Sequence, residues 1–147
     1  LQRRYGPLDT LSPILPFRFT TYYQKEMGEP LWRRLLAFER LVPRDGLVDA
    51  KLFSADLESR FVDESGHRQL NLDPGLLSLE NLVLATGKLN AHRIYLGRGV
   101  SADLTLLYQN RRFAPLPWTY PDYASAELLA ILHGMRQRLA EALKPPG

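Results

Sequence analysis

The most regular pattern of apolar and polar positions lies between residues 94 and 108. Two apolar runs, Ile94–Leu96 and Leu104–Tyr108, flank the triplet Gly97-Arg98-Gly99. Glycine adopts the positive φ angles that a tight reversal requires, and β-branched and aromatic residues are favoured in strands. The pattern therefore predicts an antiparallel hairpin.

Apolar residues recur every three or four positions in three further segments, which is the spacing of one helix face. The predicted helices run from residue 43 to about 61, from 78 to about 86, and from 125 to the prolines at 145 and 146. Proline suits a first helical turn, and serine caps a helix N-terminus. The apolar stripes are, in order, Leu47, Ala50, Phe53, Leu57 and Phe61; Leu79, Leu82 and Val83; and Leu128, Leu132, Met135, Leu139 and Leu143.

Patterns in the first third of the chain are less regular. Residues 8–19 are interrupted by prolines and predict an extended segment at a sheet edge. A short helix is predicted over Tyr22–Met27, capped by a threonine and closed by Gly28. Residues 31–42 fit both a helix and a strand, because the run is apolar on both faces, and a strand is the prediction chosen.

Glycine, proline and aspartate mark the connections that follow. Asp63–Gly66 predicts a turn and Arg68–Leu72 a short strand, which Asn71–Gly75 ends with a Pro-Gly turn. Residues 113–123 contain several prolines and aromatic residues and predict an extended segment.

The first residues are typical of the end of a helix. Basic residues occupy a last turn, Gly6 takes the capping position, and Pro7 prevents continuation. We therefore expect further sequence before Leu1, and expect residues 1–147 to form a single domain that lacks this N-terminal segment.

Composition narrows the class of protein. A chain of 147 residues with 45% apolar and 24% charged residues is typical of one globular domain. It has no cysteine, which excludes disulfides and thiolate metal sites and suits a cytoplasmic location. The net charge of +3 permits contact with phosphate groups without requiring it. We expect no membrane association, because no apolar run approaches the roughly 20 residues of a membrane span.

Familiar catalytic and cofactor motifs are missing. Gly87-Lys88 resembles the end of a phosphate-binding P-loop, but Leu82 replaces its first glycine and Leu89 its hydroxyl residue. Gly97-Arg98-Gly99 lacks the third glycine of a dinucleotide fingerprint. The three histidines have none of the short spacings of a zinc site, so no metal is predicted, and no cofactor is assigned.

Several polar residues remain as candidates for chemistry. Glu39, Asp73, Asp122 and His92 offer groups for proton transfer, although carboxylates are more often surface charges or caps. A histidine hydrogen-bonded at a strand end is the more common role for His92, even if Asp73 or Asp103 meets it in space.

Arginine and asparagine supply the remaining candidates for ligand binding. Arg93 and Arg40 have the planar fork that holds an anion, but each also suits an ion pair with a neighbouring carboxylate. Asn71 lies shortly before the Pro-Gly pair, and an asparagine in this position often does no more than stabilise the turn.

The aromatic segment offers a different chemistry. Trp118, Tyr120 and Tyr123 have rings that stack on bases or sugars, and Arg111 and Arg112 lie just before them. Packing of these rings against the body of the protein is the favoured interpretation, because the intervening prolines indicate a fixed segment.

Five segments together resemble one known family. They are Phe17–Gly28 (F-R-F-T-T-Y-Y-Q-K-E-M-G), Phe38–Leu41 (F-E-R-L), Asn71–Gly75 (N-L-D-P-G), Ala91–Gly97 (A-H-R-I-Y-L-G) and Pro115–Tyr123 (P-L-P-W-T-Y-P-D-Y). The chain resembles the bacterial and archaeal family called domain of unknown function 4416. The resemblance covers nearly the whole chain and implies no activity, because the family is uncharacterised. It nominates as site residues Tyr22, Tyr23, Glu26, Glu39, Asn71, Asp73, His92, Arg93, Tyr95, Tyr120, Asp122 and Tyr123.

The resemblance also implies an architecture. We expect an α+β fold, a mostly antiparallel sheet with helices packed on one face. Its ferredoxin-like β-α-β-β-α-β core would lack the first strand and most of the first helix, and a C-terminal hairpin and helix would follow.

Three functions are compatible with these residues. The first is binding of a small anionic, phosphate- or nucleotide-like ligand in a polar pocket, with the candidates Glu39, Asn71, Asp73, His92, Arg93, Tyr120 and Asp122. The second is RNA or ribosome binding through Arg98, Arg111 and Arg112 together with the aromatic residues from Trp118 to Tyr123. The third is a protein-interaction scaffold without catalysis, docked through Arg33 and Arg34 or the last helix. The sequence assigns neither an enzymatic activity nor an oligomeric state.

Overall fold

Helices and antiparallel strands alternate along the chain, so the protein has the predicted α+β fold. The structure, a computed structural model, describes residues 1–18 and 24–145, and of residues 24 and 25 it describes the backbone alone. The helices are α1 (Gln2–Tyr5), α2 (Gln24–Met27), α3 (Leu47–Ser59) and α4 (Ala126–Ala142). The strands are β1 (Leu8–Leu11), β2 (Leu15–Pro16), β3 (Trp32–Arg33), β4 (Leu36–Phe38), β5 (Gly75–Leu77), β6 (Asn81–Thr86), β7 (Arg93–Gly97), β8 (Val100–Gln109) and β9 (Arg112–Pro115). The ferredoxin-like detail is not confirmed.

The chain divides into two compact units. The first contains Leu1–Arg44 and Ala55–Leu72, and the second contains Asp45–Ser54 and Asp73–Gly147. The expectation of a single domain stays a prediction. No helix in the described part of the chain is long and apolar enough to cross a membrane.

Two small antiparallel pairs, β1–β4 and β2–β3, form the sheets of the first unit. The predicted extended segment is confirmed at β1 and β2, and residues 31–42 form strands rather than a helix. The strands are interrupted at Ser12, a buried residue whose N–H donates to Leu35 O (2.9 Å) and whose hydroxyl accepts from Leu35 N (2.9 Å). Pro13, which follows, has no N–H for a ladder bond, so both small sheets end there.

The two predicted helix ends in the first unit are found. Gly6 follows α1 with a φ of +88°, and Gly28 follows α2 with a φ of +75°, the left-handed region that glycine tolerates. The first residues of the predicted 22–27 helix, and its threonine cap, lie outside the described residues.

The predicted strand over residues 68–72 is wrong, because only an isolated bridge between Val62 and Arg68 forms there. Side chains hold the segment in place of a ladder. Arg68 donates to both carboxylate oxygens of Glu26 (2.7 and 2.9 Å), and the buried Glu58 carboxylate accepts from Leu72 N. The turn before it is confirmed: Asp63 Oδ1 accepts from Ser65 N and His67 N (2.9 Å each).

The Glu26–Arg68 pair predicts a specific acid sensitivity. The hydrogen bond from Arg68 lowers the pKa of Glu26 below its usual value of 4.5. Because the pKa of Glu26 is lower in the folded than in the unfolded state, the ionised side chain stabilises the fold fully above the unfolded-state pKa. This stabilisation is lost as the pH falls through the folded-state pKa. In Glu26→Gln, the decline of the melting temperature on acidification should therefore be shallower. The exposed Glu64→Gln variant is the control, and identical acid profiles for Glu26→Gln and wild type would contradict the assignment.

The second unit contains a five-stranded antiparallel sheet in the order β5-β6-β8-β7, with β9 also paired to β8. The helix predicted over residues 78–86 is wrong, because this segment is β6 and the turn before it. Ser78 Oγ accepts from Glu80 N and Asn81 N (3.1 Å each), so serine closes a turn where a helix cap was predicted. The predicted Pro-Gly turn is also wrong, since Gly75 begins β5.

The predicted hairpin is confirmed as β7–β8. Arg98 and Gly99 have φ angles of 51° and 77°, the signature of a two-residue hairpin turn. A second such turn, at Asn110 and Arg111 (52° and 61°), leads to β9. The extended prediction for residues 113–123 holds only as far as the end of β9, and turns follow.

Buried apolar residues lie on the last helix and at the start of α3, both of which belong to the second unit. Ser125 caps α4 as predicted, accepting from Leu128 N at 3.3 Å. Leu128, Leu132 and Met135 are buried, whereas Leu143 lies beyond the helix and is exposed. On α3 the most buried residues are Leu47, Ser54 and Glu58, and Phe61, predicted in the stripe, is exposed past the helix end. A core cluster joins Leu47, Ala85 and Val100, with Val48, Leu76 and Val83 packed against it.

Candidate functional site

The long strand β8 has a gap along one side. Its first residues pair with β7, where Asp103 lies opposite Arg93, and its last residues pair with β9, beginning at Leu106. Leu104 and Thr105 lie between these two partners. Their carbonyls accept from Trp118 Nε1 (2.8 Å) and Thr119 Oγ1 (2.6 Å). The loop after β9 is therefore fixed over the gap by side chains that replace the missing strand.

A buried carboxylate lies at the edge of this gap. Asp103 Oδ2 accepts from Arg93 Nε at 2.8 Å and lies 3.3 Å from His92 Nε2. Thr105 Oγ1 donates to the backbone carbonyl of Asp103 at 3.1 Å. The side chains of Arg93, Asp103 and His92 are only 7%, 12% and 16% exposed. We call Asp103, His92, Arg93, Trp118 and Tyr120 the Asp103 cluster.

Arg93 carries a permanent positive charge in this cluster. Burial opposes the charge, but hydrogen bonds to Asp103 and Tyr120 outweigh it and raise the pKa of the guanidinium above its usual value. Arg93 also donates to Lys88 O at 3.2 Å. The guanidinium is thus fixed in position and remains a source of positive charge and N–H groups.

Aromatic rings cover the outer side of the cluster. The His92 and Trp118 rings are stacked, with centroids 5.1 Å apart and planes 12° from parallel. Trp118 is 38% exposed and Tyr120 is 58% exposed. The Trp118 ring therefore packs against the protein, which was the favoured interpretation of the sequence, and still has part of its surface exposed to solvent.

The structure brings three of the predicted site residues together: His92, Arg93 and Tyr120. Asp73 is separate, because it precedes β5. Gly75, Leu84, Asp103 and Arg93 follow one row across the sheet, so three strand spacings, about 14 Å, separate β5 from β7.

The other candidates have local structural contacts. Asp122 is buried, and its carbonyl accepts from Ser125 Oγ at 2.7 Å, beside the cap of α4. Glu39 and Asn71 belong to the first unit. Glu39 is exposed, and its N–H donates to Pro7 O at 3.0 Å. Asn71 Oδ1 accepts from Arg68 at 3.4 Å. Tyr22 and Tyr23, nominated by the family resemblance, lie outside the described residues.

Two members of the cluster were not among the predicted ligand-binding residues. The sequence named Asp103 as a polar residue of the hairpin and a possible partner of His92, and Trp118 as one ring of an aromatic segment. The available signal was the hairpin itself, since an acid on β8 must lie near the first residues of β7. Among residues 1–18 and 24–145, no group of three or more histidine or acidic side chains is placed to hold a metal ion.

The arginines considered for nucleic-acid binding do not form one group. Arg98 makes an ion pair with Asp49, and both side chains are more than half exposed. Arg111 occupies the turn between β8 and β9, and Arg112 begins β9.

These features describe a small α+β protein with a preorganised acid–base cluster at one sheet edge. The chain belongs to the family described as a domain of unknown function (DUF4416), whose model matches residues 1–139. This confirms the family predicted from the sequence segments. No curated protein and no solved structure matches the chain.

Proposed function

We propose that this protein binds a small anionic ligand, phosphate- or nucleotide-like, at the Asp103 cluster. The observation that carries the proposal is that His92 and Arg93 share one buried carboxylate, with Tyr120 hydrogen-bonded to Arg93 and a partly exposed tryptophan ring stacked on His92. We also propose a cytoplasmic location, because a chain without cysteine suits a reducing compartment.

The buried carboxylate supports the proposal by fixing two basic side chains. Asp103 binds one nitrogen of His92 and one of Arg93, so neither side chain has to be ordered when a ligand arrives. The remaining guanidinium N–H groups and the Tyr120 hydroxyl are donors of the type that phosphate oxygens accept. The second ring nitrogen of His92 joins them as a donor in the imidazolium form. Hydrogen bonds to a charged oxygen are each worth about 1.5–3 kcal/mol.

The exposed rings support a ligand that also has a planar part. Trp118 and Tyr120 lie next to the donors and keep accessible ring surface. Stacking of a base on an aromatic ring contributes about 1–3 kcal/mol. A nucleotide would use both features, whereas inorganic phosphate would use only the donors.

Tryptophan fluorescence tests the proposal directly. The chain has two tryptophans, so Trp32→Phe leaves Trp118 as the only one. We would titrate this variant with inorganic phosphate, AMP, ATP and GTP and record both the emission and the melting temperature. Saturable binding is expected, and a ligand at 100 times its dissociation constant stabilises the fold by about 2.7 kcal/mol.

Variants of the cluster then locate the site. His92→Ala is expected to weaken binding at least about tenfold, the equivalent of one hydrogen bond to a charged group. Tyr120→Phe keeps the ring and should weaken binding less. His67→Ala is the matched control, because this histidine also has an aspartate partner, Asp63 at 3.5 Å. Equal affinity for wild type and His92→Ala would overturn the proposal. If no phosphate compound binds, and single-stranded RNA binds in a salt-dependent way, the RNA hypothesis would be favoured in its place.

A further inference from the structure

The strand β7 leaves one edge of the sheet in the second unit open. Within the described part of the chain it pairs only with β8, and its residues Ile94, Tyr95 and Leu96 are 71%, 62% and 43% exposed. Because alternate residues of a strand point to opposite faces, this exposure covers both faces of β7. The edge therefore presents unpaired backbone groups together with three large apolar side chains.

Other edges of the same sheet have features that discourage pairing. β5 is preceded by Pro74, and β9 begins with Arg112 and ends with Pro115. Proline lacks an N–H, and charged residues are costly to bury against another strand. β7 contains no proline, and its one charged residue, Arg93, is already paired with Asp103 of the same chain. The remaining residues of β7 therefore have the composition of an edge that another strand joins.

We propose that β7 pairs antiparallel with β7 of a second copy of this chain, about a two-fold axis at Tyr95. In this register Tyr95 lies opposite Tyr95, Ile94 opposite Leu96, and Arg93 opposite Gly97. Apolar residues then face apolar residues, and the only charged residue of the strand faces a glycine. A two-fold interface requires such self-complementarity, because each residue must suit its symmetry partner.

The charges at the ends of β7 also permit two copies to approach. Arg93 is neutralised by Asp103, and Arg98, in the turn after β7, is neutralised by Asp49. Arg93 and Arg98 therefore each have a carboxylate partner within their own chain. Like-charge repulsion between the two strands is reduced, and no uncompensated charge has to be buried.

Mass measurement over a range of concentrations tests this pairing. Light scattering or sedimentation should give 16.8 kDa for the dilute chain and twice that mass as concentration rises. Ile94→Lys places a charge on the open edge and should keep the protein at the mass of one chain throughout. Leu89→Lys is the matched control, because Leu89 precedes β7 and is 81% exposed, and it should dimerise as wild type does. A wild type that stays monomeric, or an Ile94→Lys variant that still dimerises, would overturn the proposal.

A cysteine at the two-fold axis tests the register. The chain contains no cysteine, so Tyr95→Cys introduces one thiol that faces its own copy, at the Cβ separation of directly opposed strand residues, about 4.5–5.5 Å. Oxidation should give a covalent dimer with Tyr95→Cys and far less with Leu89→Cys. Equal cross-linking of both variants would exclude this register. The ligand proposal is tested separately, by variants of His92 and Tyr120, which lie outside β7, and it would survive failure of the dimer.

Discussion

Replacement of Asp103 by alanine is expected to lower the free energy of unfolding by about 3–5 kcal/mol. The Arg93 side chain is 7% exposed and would keep its positive charge without an ionised partner. His92 would lose its partner at the same time. Removing one member of a buried ion pair costs this much because the remaining charge stays in a poorly solvated environment.

Urea unfolding followed by circular dichroism measures the effect. Glu141→Ala is the control, because Glu141 pairs with Lys144 while both side chains remain more than 60% exposed, and such pairs contribute about 0–1 kcal/mol. The double variant Asp103→Ala/Arg93→Ala should cost less than the sum of the single variants, since it leaves no unpaired arginine. A loss for Asp103→Ala no larger than that for Glu141→Ala would contradict the buried pair.

Local signals predicted the β7–β8 hairpin and α4 correctly. Gly99 has a positive φ within the turn, and the Ser125 hydroxyl caps α4, so each residue determines structure only a few positions away in the sequence. Such contacts are encoded by neighbouring residues and can be recognised in a sequence. The helix stripes were less accurate toward their ends, where Phe61 and Leu143 lie past the last helical residue.

The error at residues 78–86 has a physical cause outside the segment. Leu82 and Ala85 are buried in β6, which lies between β5 and β8, so partners distant in sequence decide its structure. A short run that is apolar on nearly every position satisfies a helix pattern and a central-strand pattern equally. Ser78 added to the ambiguity, because a serine hydroxyl accepts backbone N–H groups in turns as well as at helix ends.

The Asp103 cluster could be predicted only in part, because its geometry depends on a strand irregularity. The turn pairs Gly97 with Val100, and regular continuation from there would place Asp103 opposite Ile94. The register shifts between Tyr95 and Gly97, and this shift brings Asp103 opposite Arg93. The hairpin and its polar residues were predictable from the sequence, but this change of register was not.

Trp118 illustrates a second limit. Its indole N–H donates to Leu104 O because β7 and β9 leave this part of β8 without a strand partner on the side opposite β6. No pattern within residues 113–123 encodes this vacancy. The aromatic segment was expected to pack on the body of the protein, and the specific hydrogen bond is what fixes Trp118 beside His92.

Leu106→Ala is expected to lower the free energy of unfolding by about 2–5 kcal/mol, the range for truncating a buried leucine. Leu106 is completely buried, and it lies in the middle of the sheet, opposite Leu82 on one side and Pro115 on the other. Loss of the side chain removes apolar contacts and leaves a cavity that a strand paired on both sides cannot readily close. Leu106→Met, which keeps most of the volume, should cost less than about 1.5 kcal/mol.

The same urea experiment separates this core effect from a general effect of leucine truncation. Leu89→Ala is the control, because this leucine is 81% exposed and surface substitutions usually stay within about 0.5 kcal/mol of wild type. Similar losses for Leu106→Ala and Leu89→Ala would mean that β8 does not pack at the centre of the sheet. A large loss for Leu106→Ala alone would place Leu106 in the core of the sheet, on the same strand that pairs with β7 and carries Asp103 opposite Arg93.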